Sequence, residues 1–134
     1  MLAGSLDTNI LVRLVTGDDE TQTQTVLRML AKHSKNQKLL YVPVTVMLEL
    51  EWVLRSRYGH AKDAVAGLLA DLLTTVELSF ESEDAIEQAL AEYVDGKADF
   101  GEYLHLALSR KKGALPFLTF DRKAGKTEDV EILV

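Results

Sequence analysis

The feature that most constrains this chain is a carboxylate placed where a short apolar strand gives way to a helix. The stretch from Gly4 to Val15 reads GSLDTNILVRLV, and its acid is Asp7. Leu2, Ala3 and Leu6 ahead of it read as a brief strand. Behind it Asn9 is placed to cap a helix whose apolar residues Ile10, Leu11, Leu14 and Val15 fall at helical spacing. In open parallel α/β sheets the ligand crevice lies outside the carboxyl ends of the strands, so an acid at this junction points into it. The competing reading is local: Asp7 caps the helix or opens a turn.

Composition limits what the remaining acids can mean. A chain of 134 residues is expected to form one domain and to bury about two thirds of its unfolded surface. Hydrophobic content of 47% and charged content of 27% are ordinary for a globular chain, so neither disorder nor a membrane span is indicated. The N-terminus lacks a basic region, Asp7 interrupts any apolar signal core, and no run reaches membrane-spanning length, so a cytoplasmic location is expected. With zero cysteines there is no disulfide framework, zinc ribbon or thiol nucleophile, and a metal must be held by oxygen or histidine. A net charge of −6 argues against nucleic-acid binding through a broad basic surface. It leaves room for a nuclease whose own carboxylates hold cations and whose phosphate contacts are local. Two basic trios stand out. Arg110, Lys111 and Lys112 suit the C-terminal end of a helix dipole, whereas Arg122, Lys123 and Lys126 directly follow Asp121.

In chain order, Gly17, Asp18 and Asp19 break the first helix, and Val26, Leu27, Met29 and Leu30 mark a second through about His33. Leu39 to Val42 reads as a strand, and Pro43 with Thr45 start a helix running to Tyr58 and stopped by Gly59. That helix carries Glu49 and Glu51. Glu51 has Arg55 at i+4, the orientation of a surface ion pair, whereas Glu49 has Val46, Trp52 and Val53 at helical spacing and no local partner. An unpaired acid on an apolar face needs a cation, a hydrogen-bond network or a cleft, unless it lies at the edge of the stripe and reaches solvent. Trp52 is expected in the core or at a dimer interface. A helix over His60 to Leu73 and a strand at about Thr75 to Leu78 follow. Ser82 then caps a helix ending near Val94, with Glu83 and Asp84 in its first turn.

After the turn Asp95, Gly96 and Lys97 comes ADFGEYLHLALSRKKG, a helical pattern closed by Gly113. Asp99 and Glu102 stand three residues apart at its start. Such a pair either suits the helix dipole or, held in a cleft, calls for a cation. The apolar strand LPFLTF then ends in Asp121, repeating the opening arrangement. Asp7 and Asp121 are expected at the carboxyl ends of parallel strands on one edge of the sheet. His105 lies at i+3 from Glu102 and reads as a solvated or hydrogen-bonded helix histidine, and His33 and His60 are assigned no role.

The phrases LDTNILVRL, LELEWVLRSRYG and ADFGEYLHLALSRKKGALPFLTFDRKA, in this order, resemble a PIN domain, specifically the VapC-type ribonuclease toxins of bacterial and archaeal toxin-antitoxin modules. The likeness covers nearly the whole chain. It implies an α/β fold over residues 1–134, a three-layer α/β/α arrangement with a mostly parallel central sheet of about four to five short strands flanked by helices. It also implies that Asp7, Glu49, Asp99, Glu102 and Asp121 form the acidic catalytic and metal-binding set, supported by Thr8, Asn9 and Thr119. One departure is visible: where the family usually carries Asp, followed by Ala-Leu-Ile, this chain has Glu102 followed by Tyr103. The acid is retained, one methylene longer, which puts metal geometry in question and shifts ligation toward Asp99.

Gathered carboxylates need a counter-charge, and oxygen ligands favour Mg2+ or Mn2+. The expected activity is divalent-metal-dependent endoribonucleolytic hydrolysis of RNA, with Arg13, Arg122 and Lys123 as candidate phosphate contacts. The resemblance further implies a homodimer and a cognate antitoxin whose tail lies along the active-site groove. The alternative is a catalytically weakened module of the same fold that serves as a protein or RNA interaction platform. A small-molecule phosphohydrolase has no Gly-rich phosphate loop or Asp-x-Asp motif to support it.

Overall fold

The first strand, β1 (Leu2–Ser5), pairs in parallel with β2 (Leu39–Val42), and β2 with β3 (Leu78–Phe80), so successive connections must cross over through helices. The computed structural model describes all residues from 1 to 134 and divides into two compact units, Met1–Glu81 and Ser82–Val134. The chain is of mixed α/β class, with six α-helices and parallel strand pairing throughout.

In the first unit the crossovers are α1 (Thr8–Thr16) and α2 (Glu20–Lys35), then α3 (Val44–Ser56) and α4 (Lys62–Leu73). Alternation along β2 buries Leu40 and Val42, and helical spacing buries Leu11 and Val12 on α1 and Met47, Leu50 and Leu54 on α3. The cap of α1 is Asp7, which accepts the Thr8 amide at 2.7 Å, so Asn9 lies inside the first turn rather than ahead of it. Gly17, at φ 63, closes the helix in the left-handed conformation that glycine adopts without penalty. Asp19 caps α2 by accepting the Gln22 amide at 3.0 Å. The third strand begins at Leu78, where the apolar pattern had suggested it would end: the Thr75 amide still bonds the Leu72 carbonyl, which carries the preceding turn further.

The loop between α1 and α2 is tied to the end of α3. Asp18 accepts the Tyr58 hydroxyl at 2.6 Å, the Thr16 hydroxyl at 2.9 Å and Arg13 Nη1 at 3.2 Å. The Tyr58 hydrogen bond first, then that of Thr16, with the Arg13 charge adding less, hold the Asp18 carboxyl below its ordinary 3.8. A depressed folded pKa contributes stability above the unfolded value and loses it as pH falls through the folded one. Tyr58→Phe is therefore expected to lower the urea midpoint at pH 7, with the gap to wild type narrowing once the pH drops below 3.8. A gap that stays constant down to acid pH would assign the effect to packing of the Tyr58 ring.

Two further expectations for α3 need correction. Glu51 does pair with Arg55, at 2.8 Å, but only 2% of Glu51 is exposed, so the pair is not a surface one. Trp52 is 49% exposed, with the Arg57 guanidinium 5.8 Å from its ring, which overturns the core half of its expectation and not the dimer-interface half.

In the second unit α5 (Glu83–Asp95) and α6 (Phe100–Lys112) form a helical hairpin, followed by β4 (Phe117–Thr119), a 3-10 turn at Arg122–Ala124, and β5 (Val130–Ile132). Ser82 stands at the cap position of α5 with φ 52 and makes no side-chain cap bond. Phe100 is buried against Tyr93, with ring centroids 5.6 Å apart. Arg110 bonds Glu92 at 2.8 Å, Asp129 at 3.0 Å and the Glu128 carbonyl at 2.9 Å, and Lys111 bonds Asp84 at 2.9 Å. Arg110 and Lys111 of the first basic trio thus fasten the hairpin and the approach to β5. The last strand pairs in parallel with β4 and was not foreseen, because its three residues, Val130, Glu131 and Ile132, are too few for alternation to stand out.

Candidate active site

The junction that opens the chain places Asp7 directly after β1 and at the head of α1. Capping and a role in a site are compatible here. One carboxylate oxygen receives the Thr8 amide, and the second makes no protein hydrogen bond. Thr8 is buried, and its hydroxyl donates to Oε1 of Glu49, forty-one residues away on α3. Glu49 is otherwise exposed, which leaves its second oxygen accessible. The first unit therefore joins the strand-end acid and the helix acid through one threonine. The partner that Glu49 lacked locally is supplied by tertiary structure. Asn9 is exposed on the first turn of α1.

In the second unit Asp99 occupies the cap position of α6, yet its side chain makes no cap hydrogen bond; only its carbonyl is used, by the amides of Glu102 at 3.0 Å and Tyr103 at 3.3 Å. An aspartate at this position normally spends its carboxylate on the first-turn amides. Glu102 follows in the first turn, and its Oε2 is buried without any hydrogen-bond partner. A buried carboxylate oxygen left bare costs free energy unless a cation or donor comes to it. Asp121 follows β4, accepts the Lys123 amide at 2.9 Å, and donates its own amide to the Thr119 hydroxyl at 2.9 Å. Thr119 thus shapes the turn that carries the acid.

Each unit gathers its own share of the acids, Asp7 with Glu49 in the first and Asp99 with Glu102 in the second. No group of three or more His, Asp or Glu side chains stands in metal-binding geometry. Among the cations, Arg13 is engaged with Asp18, Gln22 and Tyr58, whereas Arg122 and Lys123 are exposed and make no ion pair. His105 is exposed, its ring 6.3 Å from that of Phe117.

Two residues close to this acidic segment had not been singled out. Tyr103 is 3% exposed, and its hydroxyl accepts the Ala98 amide at 3.2 Å. Gly96 lies so close that a Cβ built there would stand 1.8 Å from the Tyr103 hydroxyl oxygen. The available signal was a tyrosine four residues after an acid that itself follows a tight turn; its apolar neighbours made it read as core.

A family model described as "PIN domain" matches residues 5–130. A VapC ribonuclease of Aquifex aeolicus (strain VF5) is 23% identical over 121 residues, covering 90% of this chain and 89% of the relative. Among solved structures, the chain is similar to Mycobacterium tuberculosis VapC20, a sarcin-ricin loop cleaving toxin, with 23% identity, a TM-score of 0.42, and coverage of 97% of this chain and 98% of that one. No helix is long and apolar enough to cross a membrane. The family match takes in every acid of the candidate site, and this chain belongs to the PIN domain family.

Proposed function

We propose that the chain is a divalent-metal-dependent endoribonuclease, acting as the toxin of a toxin-antitoxin pair, with Asp7, Glu49, Asp99, Glu102 and Asp121 as its acidic set. The observation that carries the metal dependence is the buried, unpartnered Oε2 of Glu102, an oxygen for which the protein supplies no donor. The free oxygen of Asp7, the accessible oxygen of Glu49 and the uncapped carboxylate of Asp99 supply donors of the same hard type, so the residues fit Mg2+ or Mn2+. The similarity to a VapC ribonuclease over most of both chains supports RNA as the substrate.

A bound Mg2+ or Mn2+ supplies charge compensation at the phosphate and lowers the pKa of coordinated water. Asp7 and Asp121, each at the end of a strand, would offer carboxylates to that cation. Asp99 and Glu49 would add to the ligand set, and Oε2 of Glu102 would either join it or accept a proton from the attacking water. Arg122 and Lys123 hold substrate phosphates beside Asp121. A homodimer and a cytoplasmic setting accompany this reading. The net charge of −6 suits an antitoxin tail with a basic side chain that reaches the acids.

Cleavage of a mixed pool of structured RNAs, with Mg2+, with Mn2+ and with chelator, tests the reading. Fragments that require the metal are expected. A folded protein that binds Mn2+ in a titration yet yields no fragments would refute RNA hydrolysis, and one that binds no Mn2+ would favour the interaction platform. Within the site, Thr8→Val removes the hydroxyl that orients Glu49 while keeping the side chain's shape. It is expected to lower kcat about tenfold, in the range typical for partners that orient metal ligands. Unchanged kcat in Thr8→Val would show that Glu49 needs no such support.

A further inference from the structure

We propose that Tyr103 is a positioning residue: by accepting the Ala98 amide, its buried hydroxyl sets the direction in which Asp99 and Glu102 leave the start of α6. The proposal rests on the metal-dependent reading of those acids given above.

The starting point is that α6 lacks the device that usually fixes a helix N-terminus. Asp99 stands at the cap, but its side chain binds none of the first-turn amides. A cap residue freed in this way would let the chain ahead of the helix swing, and the direction of Asp99 with it. Tyr103 supplies the constraint from inside the helix. It sits one turn on, its ring points back toward the helix start as long helical side chains do, and its hydroxyl reaches the Ala98 amide at 3.2 Å. Tyr103 and Ala98 are each 3% exposed, so the bond is made away from water, where an unmade one is costly.

A second observation shows that the loop is built around this hydroxyl. Gly96 passes over it so closely that no side chain fits, with the hydroxyl oxygen 1.8 Å and Cζ 2.5 Å from where a Cβ would be. Gly96 and Ala98, on either side of Lys97, are therefore both held against the Tyr103 hydroxyl just ahead of Asp99. Glu102, immediately before Tyr103 in the first turn of α6, keeps Oε2 buried and unpartnered, so the helix start that Tyr103 anchors also carries an oxygen held without a donor. Tyr103 touches neither metal nor substrate; it acts through Asp99 and Glu102.

The test compares wild type, Tyr103→Phe and Val65→Ala by three readouts. Val65 is fully buried on α4 in the other unit, and its truncation controls for a general loss of stability. In the metal-free proteins, amide hydrogen exchange is expected to be slow at Ala98 in wild type and at least about tenfold faster in Tyr103→Phe. Titration with Mn2+ is expected to give about tenfold weaker binding in Tyr103→Phe alone. Cleavage should lose about tenfold in kcat with an unchanged KM for RNA, because the phosphate contacts are untouched.

Tyr103→Phe matching Val65→Ala in Mn2+ affinity and kcat would overturn the positioning role and leave the ribonuclease reading intact. Wild-type protein that neither binds Mn2+ nor cleaves RNA would overturn the ribonuclease reading instead. If Tyr103→Phe does not fold, the wild-type protein still decides: an Ala98 amide that exchanges at the rate of an open loop overturns the proposal without any substitution.

Discussion

Asp7→Asn is expected to reduce RNA cleavage by about a thousandfold, roughly 4 kcal/mol of transition-state stabilisation, in a protein that melts within a few degrees of wild type. The two effects separate because Asp7 has two jobs on two oxygens. One oxygen accepts the Thr8 amide at 2.7 Å at the head of α1. Asparagine keeps an acceptor there and caps helices as well as aspartate does, so the fold loses little. The other oxygen makes no protein hydrogen bond, and it is the negative charge shared with this oxygen that a divalent cation requires. Alanine should add to the same catalytic loss about 1 kcal/mol of stability for the missing cap. Chelation curves and melting curves measured on the same samples check both halves. Full activity in folded Asp7→Asn would remove Asp7 from the metal set and return it to the purely local role of a cap.

The opening junction was legible because two short-range patterns meet there: strand residues end and helix spacing begins within a few residues, and the acid sits between them. The late segment was legible for the same reason, with Asp99 and Glu102 at a helix start and Asp121 after a strand. What escaped depends on contacts between residues distant in sequence. Glu49 and Glu51 differ by two positions on one helix, and spacing separated them as acids with and without a local partner. Spacing did not reveal that Glu51 would be buried with its arginine, nor that Glu49 would be met by the Thr8 hydroxyl. Both outcomes follow from which face of α3 turns toward its neighbours, which tertiary packing decides. Tyr103 was hidden differently. Its ring belongs to the apolar pattern that defines α6, and only the hydroxyl, which periodicity ignores, reaches back to Ala98. Strand β5 fell below the length at which alternation is a signal.

Gly96→Ala is expected to destabilise the protein by about 3 kcal/mol, at the upper end of what overpacking costs, whereas Gly67→Ala should stabilise it by about 0.5–1 kcal/mol. The opposite signs come from what a single methyl meets. Gly67 lies within α4 with nothing inside 4 Å of a Cβ, so alanine there only removes backbone freedom from the unfolded chain. Gly96 has φ −96 and ψ 175, a conformation any residue adopts, so no backbone strain is involved. The obstacle is contact: the Tyr103 hydroxyl oxygen at 1.8 Å and the Glu92 carbonyl oxygen at 2.8 Å. The first belongs to a buried side chain that cannot swing away without leaving Ala98. The second is the backbone of α5 itself, which ends at Asp95 and cannot shift without disturbing the last turn of that helix. Adding Tyr103→Phe to Gly96→Ala should recover little, since Cζ at 2.5 Å and the carbonyl both remain. Urea denaturation of the three single variants and the double variant measures this directly. Gly96→Ala as stable as wild type would mean that the turn yields, and a turn that yields cannot hold Asp99 in a fixed direction.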